Sequence, residues 1–128
     1  MQGRRRIFER LVVRAVDQLP PEIHEMLDNV QIVVEDEPTA EQLDQRQPQD
    51  DPSRPPELLG LYEGTPLIDR SVTDGFRLPD KITLFRLPLE RATRNQSELA
   101  WQIQVTVVHE IAHHFGLDED RIAELGWA

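Results

Sequence analysis

Apolar residues along this chain recur with two different periods, and the changes of period mark its elements. Between Arg4 and Leu19, the residues Ile7, Phe8, Leu11, Val12, Ala15, Val16 and Leu19 fall at three- and four-residue spacing, which lines one face of an α-helix. Pro20-Pro21 stops that helix, and a short second helix is expected over Glu22 to Leu27. Val30 to Glu35 is β-branched and apolar, a pattern that predicts a buried strand. Leu58 to Glu63 and Leu67 to Val72 flank Gly64-Thr65-Pro66 and predict a hairpin. Thr73-Asp74-Gly75 reads as a turn, and Ile82 to Leu87 as a further strand ended by Pro88. Asn95, followed three residues later by Glu98, has the form of a capping box opening a long helix that runs to Phe115. In that helix Trp101, Val105, Val108, Ala112 and Phe115 predict a continuous core-facing stripe. Val105, Thr106, Val107 and Val108 are β-branched and poor helix formers, so packing must hold them helical. Internal repeats are absent. Helices and strands mix without regular alternation, which predicts an α+β fold in one domain over residues 1–128.

Composition narrows the picture. The chain has 24 acidic and 14 basic residues, a net charge of −10 and no cysteine, so neither disulfides nor a thiolate metal site is available. Residues 35–57 hold eight of the acids against Arg46 and Arg54, supplying −6 of the −10, together with five of the ten prolines. Such a segment reads as a flexible acidic, proline-rich loop at about 36–56. Arg4, Arg5, Arg6, Arg10 and Arg14 are expected to form a solvated helix face or to neutralise that acidic segment, not to bind nucleic acid. Glu9, Arg10 and Arg14 interrupt the apolar residues near the start, which leaves no secretory signal core, and no apolar run reaches the length of a membrane span. A soluble cytoplasmic protein is the expectation.

The candidate chemistry lies in His109-Glu110-Ile111-Ala112-His113, continued by His114-Phe115-Gly116-Leu117-Asp118-Glu119, which holds three of the four histidines. Helical residues four apart stand one above the other, so His109 and His113 can present two imidazoles to one Zn²⁺. Glu110 lies beside that face, within reach of a metal-bound water without being a ligand. A catalytic zinc wants a third protein ligand and an open position. Gly116 lets the helix stop and the chain reverse, which can return a carboxylate from Asp118, Glu119 or Asp120. His114 points about a third of a turn from the ligand pair and reads as a supporting or surface residue. Tyr62, the sole tyrosine, is a strand-packing aromatic or a phenolic oxyanion donor.

The stretch His109 to Glu119 resembles the extended zinc signature of the zincin metallopeptidases. Leu58-Leu59-Gly60-Leu61-Tyr62-Glu63-Gly64 and Leu78-Pro79-Asp80-Lys81-Ile82-Thr83-Leu84-Phe85-Arg86 are similar to segments of the small bacterial zincin-like proteins called minimal zincins. The likeness runs from about Val30 to Asp120. It implies a small mixed twisted sheet packed on a long active-site helix, zinc at His109 and His113, a general base at Glu110, and a third, acidic ligand ten residues after His109. That position is Glu119, where the family more usually has Asp or His. The only methionines are Met1 and Met26, upstream of the signature, so the Met-turn of the metzincins is not expected. Two functions follow as expectations: a zinc peptidase acting on a peptide or protein substrate, or a zinc-binding interaction module without turnover. For the peptidase, an edge strand, Leu58 to Glu63 or Ile82 to Leu87, would bind extended substrate by strand addition.

Overall fold

A computed structural model describes residues 2–44, 57–64 and 79–127, with Gln2 and Glu119 described by their backbone alone. The predicted second strand of the hairpin, the turn at 73–75 and most of the acidic segment lie outside those residues. Nine elements follow one another among the described residues: α1 (Gln2–Asp17), α2 (Pro21–Met26), β1 (Val30–Glu35), α3 (Ala40–Asp44), β2 (Gly60–Glu63), β3 (Asp80–Phe85), α4 (Arg86–Arg91), α5 (Gln96–His114) and α6 (Glu119–Glu124). No helix among them is long and apolar enough to cross a membrane.

The sheet is mixed, in the order β1-β3-β2. β1 runs parallel to β3, with Ile32 opposite Ile82 and Val34 opposite Leu84. β2 runs antiparallel to β3, with Gly60 opposite Leu84 and Tyr62 opposite Ile82. Consecutive strand residues face opposite sides, so the burial of Ile82, Thr83, Leu84 and Phe85 shows that both faces of β3 are covered. The expectation of Ile82 to Leu87 as an edge strand is therefore corrected: β3 is central, and it ends at Phe85. Arg86 and Leu87 enter α4 instead. Pro88 sits in the first turn of that helix, where its missing N–H leaves nothing unsatisfied. β1, expected to be buried, is only half-buried along most of its length, as suits the outer strand of this sheet.

The core joins α1, α2, the sheet and α5 through Phe8, Val12, Ile23, Ile82, Leu84, Ile103 and Val107. Gln104 Nε2 adds a hydrogen bond to the Ala15 carbonyl at 2.8 Å, tying α5 to the end of α1. In α5 the buried residues are Leu99, Ile103, Thr106, Val107, Val108, Ile111 and Ala112. The predicted stripe is thus rotated: Trp101 and Phe115 are 46% and 57% exposed, and Leu99, Ile103, Val107 and Ile111 carry the centre instead. Periodicity cannot separate two adjacent apolar stripes on one helix when both are occupied. Burial also answers the poor propensity of Val107 and Val108. Each costs about 0.5 kcal/mol of helix propensity, against roughly 1.5–3 kcal/mol for burying a Val side chain.

The start of the acidic segment has structure of its own. Thr39 and Gln42 form a reciprocal capping box, with Thr39 N–H donating to Gln42 Oε1 at 2.9 Å and Gln42 N–H to Thr39 Oγ1 at 3.1 Å. That box opens α3, so the loop expected from 36 is helical over Ala40–Asp44. Asp36 accepts from the buried Arg86 at 2.9 Å. Arg91 reaches both Glu37 and Glu57, at 3.0 and 2.7 Å. Of the N-terminal arginines, Arg5 contributes, donating to the Val34 carbonyl at 2.6 Å and pairing with Asp36 at 3.6 Å.

Candidate active site

α5 starts as the capping pattern requires: the Asn95 side chain accepts from Glu98 N–H at 2.9 Å, and Glu98 returns its carboxylate to Arg94 N–H. Nineteen helical residues later the helix closes in a Schellman turn. Gly116 has φ +83°, its N–H donates to the His113 carbonyl at 3.0 Å, and Leu117 N–H donates to Ala112 at 2.9 Å. A Cβ at this φ would be strained, so the glycine permits the turn from α5 into α6. Asp118 caps α6, accepting from Arg121 N–H at 2.9 Å. The same turn recurs after α6 at Gly126, φ +92°, where Gly126 N–H donates to Ala123 and Trp127 N–H to Ile122. This second reversal returns Trp127 to α5. Its ring stacks on Trp101 with centroids 5.3 Å apart, and its carbonyl oxygen lies 2.8 Å from His109 Nε2. Neither the Trp pair nor this contact was foreseen; the repeated Gly-after-helix pattern at 116 and 126 was the available signal.

His109 and His113 face the same region, with ring centroids 5.9 Å apart and planes at 70°. His109 is half-buried and His113 exposed. Glu110 faces the sheet: its Oε1 accepts from the backbone N–H of Tyr62 in β2 at 2.8 Å. Tyr62 is held from three sides. Its hydroxyl donates to Asp80 Oδ2 at 2.5 Å, its ring stacks on His114 at 4.0 Å and 16°, and its N–H meets Glu110. The phenol is thus engaged with Asp80, and His114 supports the aromatic ring. Asp80 belongs to the Leu78-Pro79-Asp80-Lys81 stretch, but no role for it was legible there, because its partner comes from a strand eighteen residues earlier.

The donor chemistry fits a zinc ion as far as the described side chains reach. Two imidazoles on one tetrahedral zinc at about 2.0–2.1 Å have centroids roughly 5 Å apart, close to the observed separation. Among the described residues no group of three His, Asp or Glu side chains converges as a metal set. The Glu119 side chain is outside them; its backbone opens α6. Asp118 uses a carboxylate oxygen for its cap.

A long helix bearing two histidines one turn apart, packed beside a small mixed sheet, defines the α+β zincin-like architecture. The family model of the zincin-like metallopeptidases matches residues 27–127, and the chain belongs to that family. Comparison with curated proteins gave no match.

Proposed function

We propose that this protein is a zinc-dependent metallopeptidase in which His109, His113 and Glu119 hold the metal and Glu110 is the general base. The observation that carries the reading is Glu110, held by Tyr62 N–H at 2.8 Å and flanked in sequence by the histidine pair. Zinc in such a site supplies Lewis acidity, polarising a scissile carbonyl and acidifying water. The protein's own part is proton transfer and placement. Glu110 takes a proton from the attacking water on a carboxylate oxygen and passes it to the leaving amine nitrogen. Its Oε1 is anchored by the β2 backbone, which limits rotation of the carboxylate and keeps Oε2 in a defined direction. An extended peptide beside β2 would lie along the strand that positions the base.

Glu110→Gln is expected to retain zinc and to lose turnover by about 10²–10⁴-fold, the usual worth of a general acid–base step. His109→Ala is expected to lose both metal and turnover, because two remaining ligands hold zinc weakly. Zinc content by mass spectrometry and cleavage of a broad peptide library test both. Cleavage that Glu110→Gln leaves unchanged would sink the hydrolase reading. The alternative is a zinc module without turnover, held by the same histidine pair. In that case the same experiment gives stoichiometric zinc with no cleavage by wild type.

A further inference from the structure

We propose that the close contact of Gly60 with Thr106 is a spacer that sets the position of Glu110, making Gly60 and Thr106 positioning residues of the site. The inference rests on Glu110 being the base and assigns a purpose to the Leu59-Gly60-Leu61-Tyr62 stretch.

Gly60 is buried on β2. A Cβ there would lie 2.6 Å from Thr106 Cγ2 and 3.2 Å from the Thr83 carbonyl oxygen. Carbon atoms in good contact stand about 3.5–4.0 Å apart, so helix and strand approach here roughly 1 Å closer than any side chain at position 60 would permit. Thr106 and Glu110 are one turn apart on α5, a rise of about 6 Å. Gly60 and Tyr62 are two residues apart on β2, about 6.6–6.8 Å. The two spacings match. Helix and strand therefore touch at two consecutive points, Gly60 with Thr106 and Tyr62 N–H with Glu110 Oε1 at 2.8 Å. Antiparallel pairing explains why the second point is open to the helix. Phe85 N–H donates to the Leu59 carbonyl at 3.0 Å, so residues 59, 61 and 63 turn their backbone groups toward β3, and Tyr62 turns its N–H away from it. A Cβ at position 60 cannot push back the Thr83 carbonyl in the central strand, so the helix must yield. A shift of about 1 Å takes the Tyr62–Glu110 distance beyond the roughly 3.2 Å reach of an N–H···O bond.

The test compares wild type, Gly60→Ala, Thr106→Ser and the double variant Gly60→Ala/Thr106→Ser. The readouts are amide exchange at Tyr62 by NMR, zinc content, and kcat and KM on a fluorogenic peptide pool. Gly60→Ala is expected to speed Tyr62 exchange at least tenfold and to lower kcat by about 10²-fold, the cost of a 1 Å misplacement. KM and zinc content should stay near wild type. Thr106→Ser removes Cγ2, so the double variant should recover most of the protection and most of kcat. A folded Gly60→Ala with wild-type exchange or wild-type kcat overturns the proposal, as does a double variant as impaired as Gly60→Ala. If Gly60→Ala fails to fold, the double variant carries the test: with Cγ2 removed it should fold with Tyr62 exchange and kcat near wild type, and fast exchange or low kcat in it overturns the proposal. If wild type cleaves nothing, the hydrolase reading fails and Tyr62 exchange alone decides whether the spacer controls Glu110.

Discussion

Thr83 lies in the middle of β3, fully buried, and its hydroxyl is buried with no hydrogen-bond partner among the described residues. A hydroxyl removed from water and left unpaired costs about 1–3 kcal/mol. Val has the same branched shape, so Thr83→Val should stabilise the fold by roughly 1 kcal/mol, seen as a higher urea midpoint at unchanged slope. A lower midpoint would mean that the hydroxyl finds a partner in solution. Glu110 shows the opposite situation at the same scale. Its carboxylate is spent on a backbone N–H from another element, and the adjacent histidines stand one turn apart on the same helix. The placement of His109, Glu110 and His113 on one helix was readable because it depends on helical spacing alone. The partners Tyr62, Asp80 and Trp127 were not, because each contact crosses from one element to another.

Among the elements, α6 carries the proposed third ligand. Its first residue is Glu119, and its cap is Asp118. These neighbours should therefore behave differently when replaced. Asp118→Ala should cost about 1 kcal/mol as a lost N-cap and leave zinc affinity near wild type. Glu119→Ala should weaken zinc at least about 10²-fold, since even residues that merely orient ligands are worth 10–100-fold. Competition against a chromophoric chelator measures both. Full affinity in Glu119→Ala with loss in Asp118→Ala or Asp120→Ala would reassign the ligand. The helix cap of α5 and its glycine stop were predicted from local pattern, since capping chemistry is written in residues three or four apart. The end of β3 was misplaced by two residues, because Pro88 can either end a strand or open a helix, and the Asp36–Arg86 pairing at that corner comes from fifty positions away.

At the scale of the whole molecule, charge closes the fold at the end opposite in sequence to the histidine motif. The Arg86 hydrogen bond holds the Asp36 carboxyl below the usual carboxylate range; desolvation opposes it, and the charges of Arg86 and Arg5 add to the lowering. Asp36 and Glu90 in turn push the Arg86 guanidinium up, so Arg86 stays charged throughout the accessible range. A carboxyl depressed in the folded state contributes stability that is present above its unfolded value and is lost as pH falls through its folded value. The melting temperature of wild type should therefore exceed that of Asp36→Asn at pH 7, and the gap should close as pH falls from about 4 toward 2. Asp36 is 45% exposed, so 1 M salt should also narrow the gap by screening. A gap independent of pH would show that Asp36 acts through shape and not through charge.

The sequence by itself determined the α+β class, the existence of α1, α2 and α5 with the two ends of α5, the strand at Val30–Glu35 and the histidine–glutamate motif on its helix. All of these rest on periods and caps spanning a few residues, where the physics is local. Tertiary structure decided which apolar stripe of α5 faces the core, that β3 is the middle one of the three described strands, and that Asp36, Glu37 and Glu57 are gathered by Arg86 and Arg91. It also decided that Gly60 admits Thr106 and that Tyr62 holds Glu110. Those outcomes depend on which surfaces meet, and a strand and a helix almost fifty residues apart carry no local mark of the partner each will find.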